Sequence, residues 1–194
     1  MPRGSMPLRD FDPAAVSPPR IPPTHWYRSL VAAGLSARDA NQTARYWLQL
    51  EGSLTRALQL RCRQRFHVEI SQEGFARPTL EEARTLGIPL RQRAWIREVR
   101  LCGDGVPWVL ARTVIPGDTL KGAGRRLRHL GRKPLGAYLF SDSRWQRGPL
   151  EVGRCHPGAP GQPALARRSR FTCNGGRALL VGEYFLPALL NQGL

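Results

Sequence analysis

No apolar run in this sequence approaches the roughly 20 residues of a membrane-spanning helix, and no cationic-then-apolar signal segment opens it. A soluble, cytoplasmic protein without membrane insertion is the expectation. Cysteine is sparse and poorly spaced for metal or redox work: Cys62, Cys102, Cys155 and Cys173 contain no C-x-x-C pair. That argues against a zinc ribbon, a redox dithiol or a disulfide framework. Cys155-His156 offers two ligand types with no matching second pair, so no metal is expected. No G-x-S-x-G elbow or H-E-x-x-H helix occurs, and Gly122-Ala-Gly124 lacks the lysine and hydroxyl of a phosphate loop. Lysine is nearly missing too: Lys121 and Lys133 stand among 30 basic residues, against 14 acidic ones, for a formal net charge of +16.

An arginine-heavy chain suits nucleic acid, an anionic surface or an anionic small molecule. The charges are spread along the chain, which equally fits arginines that merely solvate the surface. Of the two arginine clusters, around 125–133 and 167–170, only the first has an aromatic, His129. Base stacking has little support there, and no nucleic-acid partner is expected.

At 194 residues the chain suits one domain with a proper core. Residues 1–23 carry Pro2, Pro7, Pro13, Pro18, Pro19, Pro22 and Pro23 and read as a disordered tail, leaving the folded domain at 24–194. Ser36-Ala-Arg-Asp39 resembles a helix cap before Ala40, Ala44, Trp47 and Leu48, and Ser53 can cap a second helix through Leu54, Ala57 and Leu58. Strands are expected at 66–72, 94–102, 106–115, 150–153, 168–173 and 177–186, with hairpin turns at Gly103-Asp104-Gly105 and Asn174-Gly175-Gly176. Residues 118–130 suggest a basic amphipathic helix with Leu120, Leu127 and Leu130, and 134–140 a short apolar one. The pattern is α+β around a mainly antiparallel sheet.

The chemical anomaly lies in 179–187, LLVGEYFLP. Alternation puts Val181, Glu183 and Phe185 on one face, so Glu183 is flanked by apolar side chains. A carboxylate buried there must find a cation, a donor or a ligand, or take up a proton. Arg97 shares a strand face with Trp95, Val99 and Leu101, and Arg112 one with Trp108, Leu110 and Val114. Either Arg97 and Glu183 form an ion pair that ties two strands together, or they line a dry pocket. In that pocket the arginine grips a carboxylate and the glutamate handles a hydroxyl or a proton. Arg112 either supports the same pocket or snorkels to water. Glu98 falls on the opposite face from Arg97 and reads as half of a surface pair.

Five blocks together carry a resemblance: WLQLEGSLTR (47–56), WIREVRLCGDGVPWVLARTVIP (95–116), LGRKPLGAYLF (130–140), RRSRF (167–171) and LLVGEYFLP (179–187). In this order and spacing the chain from Trp47 to Pro187 resembles the chorismate pyruvate-lyases, which release pyruvate from chorismate to form 4-hydroxybenzoate for ubiquinone biosynthesis. The resemblance implies a six-stranded antiparallel sheet with helical flaps over an internal ligand site, a monomer, and an enzyme without metal or organic cofactor. It implies that Arg97 binds the ring carboxylate, Glu183 sits near the ring hydroxyl, Leu135 gives a backbone contact and Leu54 lies on a flap where methionine is common. Arg112 is a candidate support for the second carboxylate or for Glu183. The same fold type also serves as a sensor domain in bacterial transcription regulators, so a non-catalytic aromatic-acid binder is the alternative.

Overall fold

The computed structural model describes residues 18–36 and 38–193, and its sheet grows from the hairpin most clearly marked in the sequence. β3 (Ala94–Gly103) passes into β4 (Val106–Pro116) through Asp104 and Gly105, at φ 53° and 82°. Two successive left-handed residues make a turn whose twist matches the paired strands. Asp104 tolerates this conformation because the Cys62 thiol and the backbone N–H groups of Arg63, Gln64 and Arg65 all donate to its carboxylate. Those bonds hold its carboxyl down at about 2. A second hairpin, with Gly175 and Gly176 at φ 81° and 74°, joins β7 (Leu165–Cys173) to β8 (Arg177–Phe185).

With β1 (Thr24–Tyr27), β2 (Phe66–Ala76), β5 (Gln146–Arg147) and β6 (Glu151–Cys155) the sheet has eight strands, in the order β1-β6-β7-β8-β4-β3-β2 with β5 on β7. Every pairing is antiparallel. The six strands expected from pattern are all present. The two additions, β1 and β5, have four and two residues, too few to show an alternation of their own.

The first helix differs from expectation at its cap. α1 (Gln42–Gln49) is capped by Asn41, which accepts from the Ala44 N–H. Ser36 and Asp39 instead close a separate turn, with the Ser36 hydroxyl donating to Asp39 at 2.6 Å. Ser53 caps α2 (Leu54–Arg61) as expected. α3 (Leu80–Leu86) starts with a reciprocal capping box between Thr79 and Glu82. The single helix expected over 118–130 is broken into α4 (Gly117–Leu120) and a 3-10 helix, Ala123–His129. A Cβ on Gly124 would lie 2.6 Å from the Thr119 carbonyl oxygen, so the chain folds back where a continuous helix could not. Leu120, Leu127 and Leu130 are buried all the same. α5 (Leu135–Ser141) and α6 (Pro187–Leu190) complete the fold.

The helices divide between the two sheet faces. α1, α2 and α5 pack their Trp47, Leu48, Leu54, Leu58 and Leu139 on one face, against Val68, Val99, Phe171 and Val181. On the other, Leu86 of α3 meets Ile96, Val114 and Leu180, while Ile21 and Trp26 cover Tyr184 and Ala166. Of the expected tail, residues 1–17 lie outside the described residues, and Ile21 already belongs to the packed body. Among the described residues no helix is long and apolar enough to cross a membrane.

Candidate active site

Register arranges the helix-covered face in rows. Arg97, Thr113, Val181 and Ser169 are successive cross-strand partners, and so are Val99, Ala111, Glu183 and Arg167. The rows are two residues apart along each strand, about 6.6 Å. Above them, Leu54 and Thr55 of α2 and Leu135, Gly136, Leu139 and Phe140 of α5 roof a cavity. The two helix starts meet there: a Cβ on Gly136 would lie 3.1 Å from the Thr55 Oγ1 and 3.4 Å from the Ser53 Oγ. Glycine lets the flaps approach this closely. Their first N–H groups are oriented donors favourable to an anion.

Leu54, Arg97, Leu135 and Glu183 therefore all line one cavity. Arg97 and Glu183 are not each other's partners, so of the two readings the strand-to-strand pair does not form. Arg97, 2% exposed, donates from Nη1 to Glu73 at 3.0 Å and from Nη2 to the Gly131 carbonyl at 2.6 Å. Its Nε has no hydrogen-bond partner among the described residues. Glu73 reaches this face through the register shift between Ile70 and Gln72, which re-aims the strand. Glu183 instead accepts from Arg167 Nε at 2.6 Å. Arg167, 1% exposed, is fixed by the carbonyls of Trp47 and Leu50 at 2.9 and 2.6 Å. One oxygen of Glu183 is thus anchored, and its side chain keeps 17% exposure toward the cavity.

Arg112 does not reach this site. It lies on the opposite face and binds Glu82 through Nε and Nη2, at 2.6 and 2.9 Å, together with Glu98. It supports neither Glu183 nor a cavity ligand, because alternation puts it one residue out of phase with Thr113. Glu98 is accordingly half of a partly buried pair. Burial pushes Glu82 up, but the hydrogen bonds and charge of Arg112, with the Thr79 cap, outweigh it and hold its carboxyl below the usual range.

Two cavity residues escaped the sequence reading. Arg167 shares its strand face with Leu165 and Ser169, the same signal that singled out Arg97, but it shows only once β7 is known to begin at Leu165. Arg147 comes from the two-residue β5. Its Nε donates to the Ser169 hydroxyl at 2.8 Å and its Nη1 to the Glu51 carbonyl at 2.7 Å. Burial pushes its pKa down, and the neighbouring Arg167 adds to that. The cavity lining thus holds Arg97, Arg147 and Arg167 against Glu183, with Glu73 behind Arg97. This excess of one positive charge in a roofed, largely apolar space suits an anion.

Among the described residues, metal-ligand atoms do not collect there. Among the described residues His67, Glu69 and Cys102 bring theirs within 4.8 Å of one another, on β2 and β3 and outside the cavity lining. The Cys155 thiol accepts from the Thr24 hydroxyl, while His156 bonds His25 at 3.0 Å.

Residues 33–193 match the family model described as Chorismate lyase. The chain belongs to the chorismate lyase family. A protein of Marinobacter nauticus named a probable chorismate pyruvate-lyase is 64% identical over 186 residues, 95% of this chain and 96% of its own. The chorismate pyruvate-lyase of Yersinia enterocolitica is 47% identical over 145 residues, 73% of this chain and 80% of that one. Among solved structures, PhnF from Mycobacterium smegmatis has the same fold, with a TM-score of 0.53 at 17% identity, covering 73% of this chain and 67% of that one. The positions carried over from the chorismate lyase family, Leu54, Arg97, Leu135 and Glu183, are thus neighbours around one cavity, and Arg112 is not among them.

Proposed function

We propose that the protein is a chorismate pyruvate-lyase that converts chorismate to 4-hydroxybenzoate and pyruvate. The carrying observation is the roofed cavity in which Arg97 and the Arg167-held Glu183 stand one row apart. The ring carboxylate binds at Arg97, whose fork suits a carboxylate better than a lysine would, with the N–H groups at the start of α5, Leu135 among them, as further donors. Glu183 accepts the 4-hydroxyl at the far end of the ring, and Leu54 closes over the apolar ring face.

In the reaction the bond from ring C3 to the ether oxygen breaks and the hydrogen at C4 leaves as a proton. The electrons of that C–H bond complete the aromatic ring. The departing enolpyruvate gains a proton on its methylene carbon and becomes pyruvate, so atoms and charge balance. Aromatisation makes the step downhill, so the residues have to orient the ring and exclude water. No redox equivalent or electron sink is required, and the reading includes no metal or organic cofactor. It further includes a cytoplasmic monomer that serves ubiquinone biosynthesis, with the catalytic domain at 24–194 and an N-terminal tail before it. Flaps that close on the aromatic product make its release slow.

The test is to incubate the purified protein with chorismate and quantify 4-hydroxybenzoate and pyruvate. Equimolar products support the reading. Tight binding of 4-hydroxybenzoate without any turnover of chorismate would replace it with a sensor.

A further inference from the structure

We propose that Arg147 is the binding residue for the second carboxylate of the substrate, the one on the enolpyruvyl ether, and so separates chorismate from its monocarboxylate product. The inference rests on the lyase reading above.

Arg147 differs from the other two arginines of the cavity in having no carboxylate in contact among the described residues. Arg97 touches Glu73 and Arg167 touches Glu183. Arg147 has only neutral acceptors, the Ser169 hydroxyl and the Glu51 carbonyl, and its Nη2 has no hydrogen-bond partner among the described residues. Its guanidinium lies 5.9 and 6.0 Å from the ring centroids of Phe140 and Phe171, which shield it from water on those sides. A half-buried guanidinium on which the nearest carboxylates, Glu183 and Glu51, act only from a distance is stabilised when an anion joins it directly. The contacts it does make fix its direction and leave a donor over.

The position fits the second carboxylate. Ser169, which carries Arg147, ends the row that begins at Arg97, three strand spacings away and so about 14 Å between backbones. Arg147 itself pairs with Phe171, one row further on, and its guanidinium comes back to Ser169, so the two arginines approach the cavity from its two ends, with Glu183 and Arg167 in the row on the other side of Ser169. A ring held by its carboxylate at Arg97 directs its ether substituent away from that arginine, toward the β7 and β5 side. Once the ether bond breaks, the carboxylate on Arg147 belongs to pyruvate, whereas 4-hydroxybenzoate keeps only the one on Arg97.

The experiment compares Arg147→Met, Arg147→Lys and Ser169→Ala with wild type, in steady-state turnover of chorismate and in equilibrium binding of 4-hydroxybenzoate. One lost charge-assisted contact predicts that Arg147→Met lowers kcat/KM by about 10- to 100-fold. The Kd for 4-hydroxybenzoate should shift by less than about threefold, with partial rescue by lysine and a smaller loss for Ser169→Ala. Should Arg147→Met fold poorly, the same split between chorismate and 4-hydroxybenzoate must appear in Ser169→Ala. Equal losses toward both ligands, or wild-type turnover in Arg147→Met, would overturn the inference and leave the lyase standing. Absence of turnover in the wild type would remove both.

Discussion

The two faces of this sheet carry buried and half-buried arginines with opposite accounts of charge. On the far face Arg112 meets Glu82 and Glu98, and Arg168 meets Glu81 and Glu151, two cations against four carboxylates. They occupy one register row, Glu151–Arg168–Gly182–Arg112–Glu98, in which a Cβ at Gly182 would lie 3.2 Å from the Tyr184 ring. Trp26 lies 4.5 Å from the Arg168 guanidinium and completes that enclosure. On the cavity face Arg97, Arg147 and Arg167 meet only Glu73 and Glu183. A saturated arginine ties elements together. An unsaturated one, under a roof of helices, is waiting for an anion. Burial alone does not separate structural from functional arginines; the number of carboxylates within reach does.

The strongest way to break this comparison is to neutralise each face in turn. Glu183→Gln keeps the shape and an acceptor for Arg167 but removes the charge. It should lower kcat/KM for chorismate by about 10²-fold or more, and by leaving the buried Arg167 without its counter-charge it should also lower the melting temperature. Arg112→Met should act on stability alone: it strands Glu82 and Glu98 and should cost about 3–5 kcal/mol by denaturant unfolding, while kcat per folded molecule stays within about twofold. Adding Glu82→Gln to Arg112→Met should recover part of that loss, because the two changes share a partner.

Acid sharpens the comparison further. The Glu82 carboxyl lies below its usual range in the fold, and that of Asp104 is held at about 2. A depressed carboxyl contributes stability that is present above its unfolded pKa and fades as pH falls through the folded value. Melting temperature should therefore drop progressively from about pH 4.5 toward pH 2, and Glu82→Gln should flatten part of that slope. A profile identical in wild type and variant would detach Glu82 from the acid limb. The smallest effect expected is that of Gly136→Ala. Its methyl group meets Thr55 at the flap contact, so KM should rise by a few-fold and product release should quicken, read as weaker inhibition by added 4-hydroxybenzoate.

Much of this is legible in the sequence. The alternation in β8 exposed Glu183 as a charged residue on an apolar face, the Asp-Gly and Gly-Gly turns fixed two hairpins, and Arg97 stood out for the same reason as Glu183. Partner choice was not legible, because it depends on register. Glu73 reaches Arg97 only through a bulge in β2, and Arg112 is sent to the far face by one step of alternation. Arg147 sits on a strand of two residues, too short for any periodicity, and is held there by a serine on another strand. The helix expected at 118–130 breaks at glycines in close contacts: Gly124 backs onto the Thr119 carbonyl, and a Cβ on Gly122 would meet the Arg177 guanidinium.

The most direct test of the contrast between the faces is equilibrium binding of 4-hydroxybenzoate to wild type, Arg97→Met and Arg112→Met, each well below its melting temperature. Unsaturated cavity cations predict that Arg97→Met loses affinity by about 100-fold and that Arg112→Met binds like wild type, whatever its loss of stability. Retained affinity in Arg97→Met, with binding abolished in Arg112→Met, would contradict the account and move the anion site to the other side of the sheet.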